Sequence, residues 1–252
     1  MSFSHKKLYV IFPAAGSGSR MRSDKNKLLL EVGGRTVIDR TLGAFNEFAQ
    51  NNGIELTGIL VVSPGSVDQW HDYITNELGY TFIRDIIEGG ATRTESVRSG
   101  VMCLDASDFD EPIESDDIVF IHDAARCMID QDSIRRCFEA MQSENMKVCV
   151  SGVKTKNTIK MVKTAQDGSV TVESTPDRDF LYEVQTPQCF KAAVLMDCYE
   201  RAAQEEFEAT DDTALAEHYG IEVSIIEGSY SNIKITTPED ILIAQSLLHI
   251  QN

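Results

Sequence analysis

Short runs of apolar, β-branched residues alternate along this chain with helix-length amphipathic segments, and no other feature narrows the possible folds so far. A run of five or six such residues suits a buried strand, whereas apolar positions recurring every three or four residues over a longer window mark a helix with one face on a core. The segments 7–12, 57–62, 80–86, 117–121, 146–153 and 222–226 read as strands, and 36–50, 67–78, 92–104, 131–143, 191–206 and 238–250 read as helices. Parallel strands need a helix-sized crossover between them, so this alternation predicts the α/β class with a doubly wound, mostly parallel sheet. One helix start is explicit in Thr237-Pro238-Glu239-Asp240, with Thr237 as N-cap, Pro238 in the first helical position and acids in the first turn.

The stretch from Lys154 to Thr175 departs from the pattern. It is polar and β-branched, and Asp167-Gly168 stands between 158–164 and 169–174, which predicts a β-hairpin. Such a hairpin carries too little apolar surface to be stable alone, so residues 154–176 are expected to project as an arm that packs on a partner. With no internal repeat and no low-complexity linker, the 252 residues are expected to form one Rossmann-like domain plus this arm.

A net charge of −17 argues against a nucleic-acid or membrane-surface partner, since both require a positive surface field. A polyanionic small ligand remains compatible if the basic side chains converge on one cleft, because surface fields are screened within about 10 Å. No apolar run approaches the roughly eighteen residues of a membrane span, and Met1–Lys7 is too short for an export signal, so a cytoplasmic location is expected. The six cysteines contain no C-x-x-C pair and read as reduced, mostly buried thiols.

The first strand runs into Pro13-Ala14-Ala15-Gly16-Ser17-Gly18-Ser19-Arg20-Met21. Small residues at a strand's carboxyl end let backbone N–H groups approach a phosphate chain. No Walker A string is present, and Met21 stands where a dinucleotide fingerprint needs its third glycine. An ordinary tight turn is the competing reading. Arg20 and Lys27 follow closely, and each is placed to sit over a phosphate and offset charge developing on it.

These residues resemble the signature of the sugar-nucleotide pyrophosphorylase superfamily. Four later strings narrow the resemblance to the 2-C-methyl-D-erythritol 4-phosphate cytidylyltransferase family: Glu88-Gly89-Gly90-Ala91-Thr92-Arg93-Thr94-Glu95-Ser96-Val97, His122-Asp123-Ala124-Ala125-Arg126, Gln185-Thr186-Pro187-Gln188-Cys189-Phe190 and Asn232-Ile233-Lys234-Ile235-Thr236. Thr210-Asp211-Asp212 supports them.

The resemblance implies transfer of a cytidylyl group from CTP to a small polyol phosphate with Mg²⁺ as cofactor. Arg20, Lys27 and Lys234 would be catalytic, and Pro13, Ala14, Ala15, Gly16, Gly18, Gly90, Arg93 and Ser96 would bind the nucleotide. Asp123, Arg126, Thr158, Arg178, Thr186 and Asp211 would bind the acceptor, with Asp123 also a candidate metal ligand. Thr158 and Arg178 match positions that reach across a homodimer formed through the arm. Asp123 is read first as a ligand of acceptor hydroxyls, with a structural ion pair to Arg126 as the alternative. His122 is read as structural. The chain departs from the family pattern at Asn26 and Cys127, where proline is usual. Two other readings stay open at this point: a ribitol-5-phosphate cytidylyltransferase, and a nucleotide-binding regulator without turnover.

Overall fold

The computed structural model describes residues 3–16, 26–105 and 112–251. The chain enters on β1 (Lys7–Pro13), makes a short 3-10 turn at Lys27–Leu29 and a small hairpin of β2 (Glu31–Val32) and β3 (Arg35–Thr36), then enters α1 (Val37–Asn52). There follow β4 (Glu55–Val62), α2 (Val67–Asp72), β5 (Ile83–Glu88), α3 (Arg93–Asp105), β6 (Ile118–Ile121), α4 (Gln131–Met141) and β7 (Val148–Lys154). The second half contributes β8 (Met161–Thr164), β9 (Val170–Ser174), β10 (Tyr182–Lys191), α5 (Ala192–Gln204), α6 (Asp212–His218), β11 (Ser224–Glu227) and α7 (Pro238–Gln251).

Seven strands form the main sheet in the order β11-β7-β10-β6-β1-β4-β5. All neighbouring pairs are parallel except those made by β10, which runs antiparallel to both β6 and β7. The strand alternation of β1 decides the layering. Leu8, Val10 and Phe12 belong to one buried cluster with Phe45 and Phe48 of α1 and Phe138 of α4. Tyr9 and Ile11 belong to the other, with Val97 and Val101 of α3, Leu195 of α5 and Leu215 of α6. The sheet is therefore covered on both faces, which is why its central strands are apolar throughout rather than alternating.

Three differences from the sequence reading have physical causes. β10 was not anticipated, because Gln185, Thr186, Pro187 and Gln188 give it a polar centre and a proline weakens any strand assignment. The strand tolerates them at a register shift against β7 between Val184 and Gln188. α6, with seven residues, is too short to show a period. The expected helix 67–78 is α-helical only to Asp72 and continues as a π-helical segment, Tyr73–Leu78.

Among the described residues β8 and β9 pair only with each other, at the site of the expected hairpin. Gly168 takes φ +81 at the turn, a region L side chains avoid, and Ser169 donates its N–H to Asp167 Oδ1 at 2.9 Å. Every residue of the two strands is exposed, including Val170 and Val172 at 61%.

Candidate active site

The chain winds from β1 to β4 and β5 on one side, then returns to β6 on the other side of β1. Loops leaving β1 and β6 therefore part at the carboxyl edge of the sheet, and such a switch point leaves a crevice where α/β proteins bind ligands. A cleft of about 410 Å³ lies there. Pro13, Ala14, Ala15 and Gly16 line it from the end of β1, Gly90, Arg93 and Ser96 from the start of α3, and Asp123 and Ala125 from the end of β6. Lys27 and Lys234 complete it.

Each wall is held by its own bonds. Ala14 donates its N–H to Val61 O at 2.7 Å, and Gly89 donates to Val62 O at 2.7 Å, so both loops are pinned to β4. A Cβ on Gly89 would lie 2.6 Å from Ser96 Oγ and 2.8 Å from Ala15 Cβ, so only glycine lets the two walls approach this closely. Thr92 Oγ1 accepts from Glu95 N at 3.2 Å while Glu95 Oε2 accepts from Thr92 N at 3.1 Å, a reciprocal cap that starts α3 beside the cleft. That helix start supplies partial positive charge where an anion would lie.

Asp123 is the electrostatic centre. Its carboxylate lies 2.8 Å from Lys234 Nζ, 3.5 Å from Arg126 Nε and 3.7 Å from Arg93 Nε. Burial pushes its carboxyl upward, but the charges of Lys234, Arg93 and Arg126 outweigh that and hold it well below the usual carboxylate range. Lys27 reaches across to donate to Ile235 O at 3.1 Å, which seats it next to the Lys234 strip. Arg93 also grips Asp212 through both terminal nitrogens, at 2.9 and 2.7 Å. Two lysines and two arginines thus surround two carboxylates, leaving local positive charge in a strongly acidic chain.

Beneath this layer Thr186 Oγ1 accepts the Asp123 N–H at 3.1 Å and lies 3.0 Å from His122 Nδ1. His122 Nε2 is 3.3 Å from Arg126 O, which can only accept, so the neutral ring carries its proton on Nε2. Burial holds the imidazole down to about 3. It is a structural residue that orients the Asp123–Arg126 loop.

The structure separates the remaining sequence candidates. Arg126 donates to Asn232 O at 2.8 Å and is mostly covered, so it backs Asp123. Thr186 is buried behind Asp123 and does not line the cleft. Asp211 requires a correction: its carboxylate caps α6, accepting from Ala214 N at 2.8 Å, and it is Asp212 that holds Arg93. In two adjacent aspartates the helix start turns one side chain back onto the backbone and sends the next elsewhere, a choice that residue types alone do not disclose. Thr158 and Arg178 lie exposed in the arm region, outside the cleft of their own chain. Gly18 and Arg20 fall outside the described residues.

For a metal ion, the donor set is sparse. Among the described residues no group of three or more His, Cys, Asp or Glu is placed to hold one, and Asp123 is the single described carboxylate lining the cleft. An all-protein cage does not fit. An ion that keeps water and phosphate oxygens and takes one carboxylate does fit.

A mostly parallel sheet whose first loop, helix start and converging cations meet at the switch point defines a nucleotidyltransferase-type α/β enzyme. The chain belongs to the 2-C-methyl-D-erythritol 4-phosphate cytidylyltransferase (IspD) family, whose model matches residues 8–250. It is 37% identical over 243 residues to the 2-C-methyl-D-erythritol 4-phosphate cytidylyltransferase of Nostoc punctiforme, covering 96% of this chain and 98% of that one. The Clostridium novyi protein of the same name is 36% identical over 238 residues, covering 94% and 95% of the two chains. Among solved structures, the 4-diphosphocytidyl-2C-methyl-D-erythritol synthase of Anaerococcus prevotii superposes with a TM-score of 0.76 at 30% identity, covering 97% of this chain and 99% of that one. For the Thermus thermophilus 2-C-methyl-D-erythritol 4-phosphate cytidylyltransferase the TM-score is 0.70 at 27% identity, with 99% and 100% covered.

Proposed function

We propose that this cleft carries out its family's reaction by direct in-line displacement. CTP and 2-C-methyl-D-erythritol 4-phosphate give 4-diphosphocytidyl-2-C-methyl-D-erythritol and pyrophosphate, a step of isoprenoid biosynthesis. The observation that carries this reading is the gathering of Lys27, Arg93 and Lys234 around one cavity at the end of β1.

An acceptor phosphate oxygen forms a bond to the α-phosphorus of CTP as the bond to the bridging oxygen breaks, and the electron pair leaves with pyrophosphate. The acceptor is already an anionic nucleophile, so no covalent enzyme intermediate and no general base are required. The work left to the protein is to hold two mutually repelling anions together and to neutralise charge on the α-phosphate and the leaving group. Lys27 and Lys234 supply that charge, and Arg20 joins them in this reading. Ser96 and the backbone at Gly90 receive the cytosine, and the Asp123 carboxylate, kept ionised by its cations, accepts from acceptor hydroxyls. Asp123 is the described residue that would hold a Mg²⁺ ion together with phosphate oxygens and water, and such an ion would supply further neutralisation of phosphate charge.

The arm completes the acceptor site in a homodimer, bringing Thr158 and Arg178 to the partner's cleft. Exposed Met161, Val162, Val170, Val172 and Phe180 support that pairing. A cytoplasmic location is supported by the cysteines, all free and five of them buried.

Pyrophosphate release from CTP, followed with methylerythritol phosphate and with ribitol 5-phosphate, tests the reading. Turnover is expected with the former acceptor. Turnover with ribitol 5-phosphate alone would reassign the acceptor, and CTP binding without pyrophosphate from either would favour a regulator.

A further inference from the structure

A buried chain of hydrogen bonds continues outward from Arg93, and it ends on a residue that no part of the mechanism above employs. Arg93, the first residue of α3, presents its Nε edge to Asp123 and its two terminal nitrogens to Asp212. Asp212 is 1% exposed. The Tyr199 hydroxyl, carried by α5, donates at 2.6 Å to Asp212 Oδ1, the oxygen that also accepts from Arg93 Nη1. Gln188 Oε1 on β10 accepts the backbone N–H groups of Asp212 and Thr213, at 2.8 and 3.0 Å, and fixes where α6 begins. Side chains from α3 and α5 thus meet at the Asp212 carboxylate, while β10 holds the backbone of the residue that carries it.

Tyr199 is 2% exposed and packs in the apolar cluster under α3, α5 and α6. A phenylalanine ring would fill the same space, so packing does not account for the hydroxyl. Burial raises the phenol well above its ordinary value, and the neighbouring Asp212 charge adds to this, so the hydroxyl keeps its proton and acts only as a donor. A carboxylate rotates easily about its last bond, and a bidentate guanidinium leaves further lone pairs open. The phenol occupies one of these and fixes the plane of the Asp212 carboxylate, and with it the plane of the Arg93 guanidinium. Arg93 is 3.7 Å from Asp123, too far for a hydrogen bond. Released from its plane, it can close that gap and pair with Asp123 in place of a nucleotide phosphate in the same cleft.

We propose that Tyr199 is a positioning residue for cytidylyl transfer: its hydroxyl sets the Asp212 carboxylate so that Arg93 points into the nucleotide cleft. The proposal rests on the reading of that cleft as the CTP site. Wild-type protein that released no pyrophosphate from CTP would defeat that reading before any variant was made.

The test is steady-state kinetics of Tyr199→Phe, with each substrate varied at saturation of the other. KM for CTP is expected to rise about tenfold, the loss typical of one hydrogen bond to a charged group, while KM for the acceptor and kcat stay within about twofold. In an Asp212→Asn background, or Arg93→Lys if that chain does not fold, adding Tyr199→Phe is expected to change nothing further. An unchanged KM for CTP, an equal rise in both KM values, or additive effects in the double variant would each overturn the proposal. So would failure of Tyr199→Phe to fold, since a hydroxyl that only positions Arg93 is dispensable to the core.

Discussion

Lys27 illustrates how much a single side chain depends on its company. Alone in the sequence it is one lysine before an apolar run, but in the structure its ammonium bonds the Ile235 carbonyl and lines the cavity beside Lys234. A preorganised cation aimed at charge that grows in the transition state affects turnover more than ground-state binding. Lys27→Ala is therefore expected to lower kcat by about 10²- to 10³-fold with a smaller change in CTP affinity. Single-turnover and equilibrium binding measurements on the same variant separate the two, and an undiminished kcat would remove Lys27 from the chemistry. The cations were readable from the sequence because each sits in a distinctive string. Asp212 was harder to find: its neighbour Asp211 has the same chemistry, and only the direction of the α6 cap tells them apart.

Among the elements, the arm has the clearest consequence. Two short strands paired only with each other, with both faces exposed, do not persist through their own contacts. Replacing 159–175 by a short Gly-Ser link is expected to leave the main sheet folded and to shift the solution mass from dimer to monomer, measured by light scattering. A full-length chain that is already monomeric at micromolar concentration would refute the dimer. The hairpin was legible because Asp167-Gly168 imposes its turn locally. The start of α7 was legible for the same reason, and Asp240 Oδ2 accepts from both Thr236 N and Thr237 N at 2.8 Å, fixing the helix directly after the Lys234 strip. β10 does not stand out in the sequence because its strand pairing comes from β6 and β7, which flank it.

For the whole molecule, the placement of ionisable groups predicts sensitivity to acid. His122 is held down to about 3 by burial, whereas an unfolded histidine titrates near about 6.5. The unfolded chain therefore takes up a proton that the folded chain refuses as pH falls below about 6.5, and stability declines toward pH 3 by up to about 1.4 kcal/mol per pH unit. Asp123 adds to this lower down, because its stabilising charge is present above the ordinary carboxylate range and is lost as pH falls through its depressed value. His122→Gln is expected to flatten the decline between about pH 6 and 5, read from urea midpoints, and an unaltered slope would show that another group carries it. The α/β class, the hairpin, most strand and helix positions and the strings that supply the site are all legible in the residue order, because these follow from periodicity and local backbone preference. Folding in three dimensions settles the rest: β10 joins the sheet antiparallel, Asp123 is shared by three cations, and Tyr199 and Asp212 stand behind Arg93. Those outcomes depend on which distant segments come within bonding distance, and that is set by burial of the two faces of the sheet as a whole.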